Sequence, residues 1–588
     1  MRRAVTRLLP YAIFALLALV SWNRWIEPYV DTGRELMVPW RVSRGDALYR
    51  DVRFYYGPLA PLLAAGADSL AGRSLPARIA LAAIIALAHL EALRRLAARF
   101  LSAGRASLVT ALAVALFFFL RPGGCHLFPY SLDTSLAVAA ATWTLVFAGG
   151  RQPRRLLLAI SLLVAFLARV ETGFAAAVVA MLPVPGRVSG SDRRRTLASV
   201  LAPAGIAAAV YALFSAGTPL ATLRQEGWLA FFSLPSEFRR VYSTFSGLDR
   251  PGLRLAEFAL AAILLAVSAT WLLAVAFLAS RAGSARSSRL AEIAGLGVLA
   301  AVSAVWLWPP AGMTDALSLF PPLVRPLPFF VVLGGLWRLL ERLRRRTDDG
   351  VFATVPDGVL LLSVIFAGRL ILAAGYVGPY AAFYLPLATV VAATALLRCA
   401  DHAGRSLNLA GLPRLAAGAL IVFLGSRIAA LSTIYRNPAW ARVDTPAGSL
   451  RLLEPYATTS RLALDELARR TPARGTVAGF PEIGFLQYVL GRANPLPQDQ
   501  FFPGHLDAVA EQDAIGRIER RPPDAFVYVN VLTIGHGPVA FGSDYLQRLD
   551  AAVRRLSHPV AAFGPGARPG ERIGDPGFFI EIRVPGRP

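Results

Sequence analysis

A chain of 588 residues that is 55% apolar and only 17% charged is not a string of ordinary soluble domains, in which roughly a quarter of residues carry charge. Its 61 basic residues are all arginine and give a formal net charge of +24. They lie between apolar blocks rather than on one aromatic-studded face, which excludes a nucleic-acid-binding domain, and two cysteines exclude a disulfide framework.

The first apolar block, Leu8–Trp22, is followed by bulky residues (Asn23, Arg24, Trp25) and no small-residue cleavage site, so it reads as an uncleaved anchor. Further blocks at Ile79–Leu93, Leu108–Leu120, Leu132–Gly149, Leu255–Ser280 and Leu415–Leu431 reach or approach the ~20 residues that cross a hydrocarbon core. Arginine clusters occupy alternate short loops: Arg2/Arg3/Arg7, Arg94/Arg95/Arg99/Arg105, Arg151/Arg154/Arg155, Arg193–Arg195, Arg281/Arg286/Arg289, Arg342/Arg344–Arg346 and Arg398/Arg405. Retention of basic residues on the cytoplasmic side then predicts about 13 spans with the N-terminus inside. The outward turns are Asn23–Ala77, Arg121–Ser131, Arg169–Thr172, Ser215–Arg254, Pro309–Asp315 and Leu370–Pro379, and everything after Leu431 is outside. Cys125 and Cys399 fall on opposite sides and cannot pair.

The first outer loop, 23–77, is far longer than an ordinary connection and rich in aromatic residues: Trp25, Tyr29, Trp40, Tyr49, Phe54, Tyr55 and Tyr56. Rings of this kind are expected at the headgroup level, with Arg34–Ser43 as a short interfacial helix. Near its start stands Asp31-Thr32-Gly33-Arg34-Glu35. Carboxylates at i and i+4 share a helix face, and one at the membrane rim can take a proton from an incoming hydroxyl; the plainer reading of Asp31 is a helix N-cap. Tyr49-Arg50-Asp51-Val52-Arg53-Phe54-Tyr55-Tyr56-Gly57-Pro58-Leu59 follows. Arginine forks suit phosphate oxygens and aromatic faces suit a sugar ring, although a re-entry turn at Gly57-Pro58 also accounts for it.

Further along, Arg169-Val170-Glu171-Thr172-Gly173 places charges between two apolar stretches, where ionisable groups are costly and mark function by default. His126 and Asp133 in the second outer loop are weaker signals, and no His, Asp or Glu cluster has metal-ligand spacing. P-loop, G-x-S-x-G and H-E-x-x-H patterns are absent. In the tail, 432–588, Thr476–Phe480 and Ala525–Asn530 predict buried strands and Phe578–Val584 an exposed one. Ser460–Arg470, Leu506–Arg520 and Tyr545–Leu556 carry helical periodicity. That alternation predicts a small α/β domain with a partly parallel sheet, and Phe480-Pro481-Glu482-Ile483-Gly484 after its first strand is a further weak signal.

An N-terminal anchor followed at once by a long outer loop with an early acidic residue resembles the GT-C superfamily of membrane glycosyltransferases. Protein O-mannosyltransferases and aminoarabinose transferases are members. Asp31-Thr32-Gly33-Arg34-Glu35, then Gly45-Asp46, Tyr49-Arg50-Asp51 and Tyr56-Gly57-Pro58-Leu59, is similar to a D-x-G-x-E…G-x-x-x-Y-x-D…Y-G-P-L pattern of bacterial members. The turn at 169–173 and the tail segments Phe480-Pro481-Glu482 and Gly491-Arg492-Ala493-Asn494-Pro495 resemble theirs too. Many relatives carry adjacent acidic residues where Asp31 and Glu35 stand four apart.

The resemblance implies a polytopic α-helical transferase domain over 1–431 and an extracytoplasmic α/β domain over 432–588, in a bacterial cytoplasmic (inner) membrane. It implies an inverting transfer from a polyprenyl-phosphate-linked sugar to a lipid, glycan or protein acceptor, with Asp31 as base, Glu35 beside it and a divalent cation as an optional cofactor. Arg34, Tyr49, Arg53, Tyr55, Tyr56, His126, Arg169 and Glu171 are the expected substrate contacts, with Arg53 or Arg169 on the phosphate. A transporter or flippase of lipid-linked saccharide is the alternative. Transporters bind near the midplane, whereas the ionisable residues here gather at outer helix ends.

Overall fold

Runs of alanine and leucine, both strong helix formers, make most of the described residues up to Tyr435 helical, and the chain turns where glycine, proline or arginine interrupts them. The computed structural model describes residues 2–120, 124–149, 154–182, 190–232, 235–307, 324, 326–345, 355–371, 380–531, 533, 537–538, 540–570 and 578–586. The expected outer turn at 309–315, residues 372–379 of the one expected at 370–379, and the arginines at 121, 151 and 346 lie outside the described residues.

Helix α1 (Arg2–Val20) leads into the first loop, which itself folds as α2 (Thr32–Ser43) and α3 (Leu59–Ala71) before α4 (Leu75–Ala97). Helix α5 (Ala103–Ala113) runs into a π-helical turn at Val114–Phe118. A small ribbon, β1 (Gly124–Cys125) antiparallel to β2 (Phe128–Pro129), then delivers the chain to α6 (Leu132–Ala148). Next come α7 (Arg155–Ala168), α8 (Val170–Met181), α9 (Gly190–Ser215), α10 (Leu220–Glu226), α11 (Ser236–Ser246), α12 (Pro251–Ser280) and α13 (Ala285–Leu307). The helical part closes with α14 (Leu327–Arg345), α15 (Asp357–Gly368), α16 (Tyr380–Ser406) and α17 (Leu412–Tyr435).

Among the described residues, five helices are long and apolar enough to cross a membrane: Leu75–Ala97, Leu197–Ser215, Pro251–Ser280, Ala382–Ser406 and Leu412–Tyr435. Seven shorter apolar helices accompany them. In α12 only 17% of the apolar window is buried, and Leu255, Leu260, Ile263, Val267, Phe277 and Leu278 stand exposed. A long helix that turns apolar side chains outward along its length matches hydrocarbon, not water.

Beyond α17 a hairpin of β3 (Trp440–Thr445) and β4 (Gly448–Leu453) precedes α18 (Tyr456–Arg470), β5 (Val477–Phe480) and α19 (Gly484–Leu490). Then follow α20 (Ala508–Arg520), β6 (Ala525–Val529), α21 (Gln547–Leu556), β7 (Ser557–Phe563) and β8 (Ile580–Pro585). The four-stranded sheet has the order β5-β6-β8-β7, with β5 and β6 parallel and the other pairs antiparallel. Strand β8 was expected to be exposed, yet Ile580–Arg583 are buried, because the strand lies between two neighbours.

The first loop corrects a second expectation. Its rings were expected as lipid-facing anchors at the headgroup level, yet Trp25, Tyr29, Trp40, Tyr49 and Phe54 are all buried within the protein. Backbone and side-chain bonds tie the loop to the C-terminal region instead. Tyr29 Oη and Ser460 Oγ are 2.6 Å apart, Arg53 N donates to Pro497 O at 3.0 Å, and Arg73 donates to Tyr488 O at 2.7 Å. Trp40 meets Tyr488 edge-on at 6.3 Å. A loop rich in amphipathic rings finds a protein surface to cover, and helix α2 is clamped between α3 and α19.

Candidate functional site

Helix α2 begins at Thr32, so Asp31 stands in the N-cap position, but its side chain makes no capping bond. Its backbone has φ +61°, a region a non-glycine residue seldom occupies and that persists only where surroundings enforce it. The enforcing group is Glu482, in the turn between β5 and α19. Asp31 N donates to Glu482 Oε2 at 2.8 Å and Arg34 N donates to Glu482 Oε1 at 3.2 Å. A carboxylate from the far end of the chain thus takes up N–H groups that a helix start leaves unpaired. The two backbones nearly touch. A Cβ on Gly33 would fall 2.9 Å from Gly484 N, and one on Gly484 would fall 2.6 Å from Gly33 C, so both positions need glycine for the approach.

Released from capping, the Asp31 carboxylate, 28% exposed, pairs with Arg34 at 3.4 Å and accepts a hydrogen bond from Gln500 Nε2 at 2.9 Å. Gln500 Nε2 also donates to Glu482 Oε2 at 3.0 Å, while its carbonyl accepts from Arg34 at 3.0 Å. Arg34 reaches Glu35 at 3.3 Å, and Glu35 accepts from Leu132 N at 3.1 Å. Burial pushes the Glu35 carboxyl up to about 8, against the lowering influence of Arg34 and with Asp133 adding to the rise. Burial, then the neighbouring Asp31 charge, pushes Glu482 up to about 7. Loss of hydration disfavours the charged form in both cases.

Tyr56 links this cluster to a second one. The Arg34 guanidinium lies 5.2 Å from the Tyr56 ring centroid and that of Arg169 lies 4.2 Å from it. Gly57 makes the approach possible: its N–H donates to Ala168 O at 3.1 Å, and a Cβ there would collide with Leu167 O at 2.1 Å. Arg169, at the α7–α8 junction, is buried with Asp133, Nε to Oδ2 2.5 Å. It also reaches Tyr384 Oη at 3.2 Å and Glu171 at 3.3 Å. Arg369, just past α15, joins from the other side, donating to Tyr384 Oη at 2.9 Å and Glu171 Oε1 at 3.3 Å.

The sequence-derived candidates therefore divide. Asp31, Arg34, Glu35, Tyr56, Arg169 and Glu171 come together. Arg53 ends elsewhere, on Glu226 at 2.7 Å and on the carbonyls of Tyr49 and Arg50. Tyr49 is buried, with its hydroxyl on Tyr56 O at 2.6 Å, which fixes the segment carrying Tyr56. Tyr55 packs edge-on against His505, 5.1 Å between centroids. His126 turns into an apolar core, stacked on Phe118 at 4.0 Å with Nε2 2.9 Å from Ala382 O, where its ring is a packing element. Among the described residues, no group of three or more His, Cys, Asp or Glu side chains is placed to hold a metal ion. Gln500 and Arg369 carried no local sequence signal. Glu482 and Asp133 did, as isolated acids.

No family model and no curated protein matches the chain. Among solved structures it is similar to ArnT from Cupriavidus metallidurans bound to undecaprenyl phosphate, at 13% identity and TM-score 0.43, over 98% of this chain and 97% of that one. It is similar also to the archaeal oligosaccharyltransferase AglB from Archaeoglobus fulgidus in complex with an inhibitory peptide and a dolichol-phosphate. That match has 13% identity and TM-score 0.45, over 96% of this chain and 74% of AglB. A likeness at this level assigns no residue a role.

Proposed function

We propose that this chain is an inverting membrane glycosyltransferase that moves a sugar from a polyprenyl-phosphate donor to an acceptor hydroxyl at the outer face of a bacterial cytoplasmic membrane. The carrying observation is Asp31: a part-exposed carboxylate at the rim of the helical region, freed from capping and gripped by Arg34 and Gln500. The loop-one pattern that resembles GT-C enzymes supplies the donor class. The acceptor oxygen attacks the anomeric carbon, its proton passes to Asp31, and the bond from that carbon to the phosphate oxygen breaks. Polyprenyl phosphate leaves as an anion, so the leaving group needs cations rather than an acid.

Arg369, 31% exposed, is the reading's phosphate ligand, with buried Arg169 adding positive potential behind it. Arg53 is set aside for that role because it is only 15% exposed and closes on Glu226 at 2.7 Å, tighter than the 3.3 Å between Arg369 and Glu171. In this proposal the chain makes about 13 crossings, so that loop one and the C-terminal region share the outer side. The test is incubation of the purified full chain in nanodiscs with a radiolabelled polyprenyl-phosphate sugar and a panel of lipid, glycan and peptide acceptors. New glycosidic product in the wild type and none with Asp31→Asn supports the reading. Sugar crossing the bilayer with no new bond overturns it in favour of transport.

A further inference from the structure

A helix start with an aspartate in the cap position ordinarily uses that side chain for capping. Here the work is divided between two distant parts of the chain. Glu482 takes the N–H groups of Asp31 and Arg34, and the Asp31 carboxylate is left facing outward. Gln500 then sits where an amide is the fitting side chain. Its oxygen faces the Arg34 guanidinium, and its NH2 faces two carboxylates, Asp31 Oδ1 and Glu482 Oε2.

We infer that Glu482 and Gln500 are positioning residues for the Asp31 carboxylate, so that the C-terminal region completes the reaction centre instead of only flanking it. The inference rests on the reading of Asp31 as base. Its geometry is built into the backbone, since Gly33 and Gly484 permit the contact that brings Glu482 beneath α2. The charged and titratable groups that act on the trio are Arg34 on α2 and Tyr130 before α6, and Arg34 is in turn shared with Glu35, Asp133 and Tyr56. Glu482 therefore fixes the start of α2 on which Asp31 stands, and Gln500 fixes the direction in which its carboxylate points.

A positioning role predicts a split of kcat from KM that a merely structural role lacks. In full-length protein in nanodiscs, kcat and KM for a radiolabelled polyprenyl-phosphate sugar are measured for wild type, Glu482→Ala, Glu482→Gln and Gln500→Leu, with the thermal midpoint and the extent of carbodiimide modification of residue 31, read by mass spectrometry, beside them. Glu482→Ala and Gln500→Leu should lower kcat by about tenfold to a hundredfold, as misplacing a reacting group does, with KM and midpoint near the wild type. Glu482→Gln is nearly isosteric and keeps an oxygen for the α2 amides, so it should recover most of the kcat lost in Glu482→Ala.

Wild-type kcat in Glu482→Ala and Gln500→Leu, or a kcat that falls only in step with the midpoint, would overturn the inference and leave the transferase reading intact, provided Asp31→Asn still abolishes turnover. Altered modification of residue 31 at an unchanged midpoint, without any turnover in the wild type, would support the positioning and remove the transferase reading.

Discussion

Two carboxylate–arginine centres lie on either side of Tyr56, and they are built for different ends. Asp133 and Arg169 are both buried and meet at 2.5 Å. Asp31 is 28% exposed and meets Arg34 at 3.4 Å, sharing it with Glu35 and Gln500. A tightly matched buried pair holds both of its charges in one geometry and gives neither of them access to solvent. A carboxylate that must accept a proton needs access and a looser partner. Under the proposed function, proton transfer falls to loop one and ligand-holding to the helix ends.

The largest effect expected from this division is on turnover. Asp31→Asn keeps shape and most hydrogen bonding but removes the proposed base, so turnover should fall by about 10²–10⁴-fold with the thermal midpoint little changed. Arg169→Met should behave the other way round. It strands the Asp133 carboxylate in a dry site and costs about 3–5 kcal/mol of stability, read as a lowered midpoint and poor accumulation in membranes. Adding Asp133→Leu should restore much of the midpoint without restoring turnover. If Asp133→Leu with Arg169→Met were fully active, the helix-end centre would have no part in holding ligand.

Smaller effects divide the arginines. Arg369→Ala should raise the KM for the polyprenyl-phosphate sugar about tenfold, in the range of one charge-assisted contact. Arg53→Ala should act through loop order, because Arg53 closes onto Glu226 and two loop carbonyls; its KM should stay near wild type while the midpoint falls. A larger KM effect at Arg53 than at Arg369 would reverse the assignment.

Much of this was legible along the chain where chemistry is local. Asp31, Arg34 and Glu35 are neighbours in one polar segment, and Arg169 and Glu171 interrupt apolar stretches, so each stands out. Tyr56-Gly57 was legible as a motif, but its purpose depends on Gly57 meeting Leu167 and Ala168. Gln500 lies 469 residues from the carboxylate it contacts, and an amide in a polar turn gives no periodicity or charge signal to find. Arg369 was hidden at the end of an apolar block. His126 misled for the opposite reason: a lone imidazole near an outer loop looks available until Phe118 is seen stacked on it. The aromatic residues of loop one misled similarly, since rings suited to a lipid boundary suit a buried protein contact equally well.

The smallest predicted effect tests the loop-one centre through stability alone. Burial raises Glu482 to about 7 and Glu35 to about 8, both above the ordinary carboxylate range, so the folded chain binds these protons more tightly than the unfolded one. The stabilisation linked to them is complete at pH values below the ordinary carboxylate range. It diminishes as pH rises through that range and is lost as pH passes through about 7 and then about 8. The thermal midpoint in detergent, taken at one scan rate, should therefore decline between mildly acidic and mildly alkaline buffer. Glu482→Gln carries no charge to bury, so its midpoint should match the wild type in acid and exceed it in alkali by on the order of 1–3 °C. A wild-type decline left just as steep by Glu482→Gln would mean that Glu482 does not share the proton-binding character given to the loop-one centre.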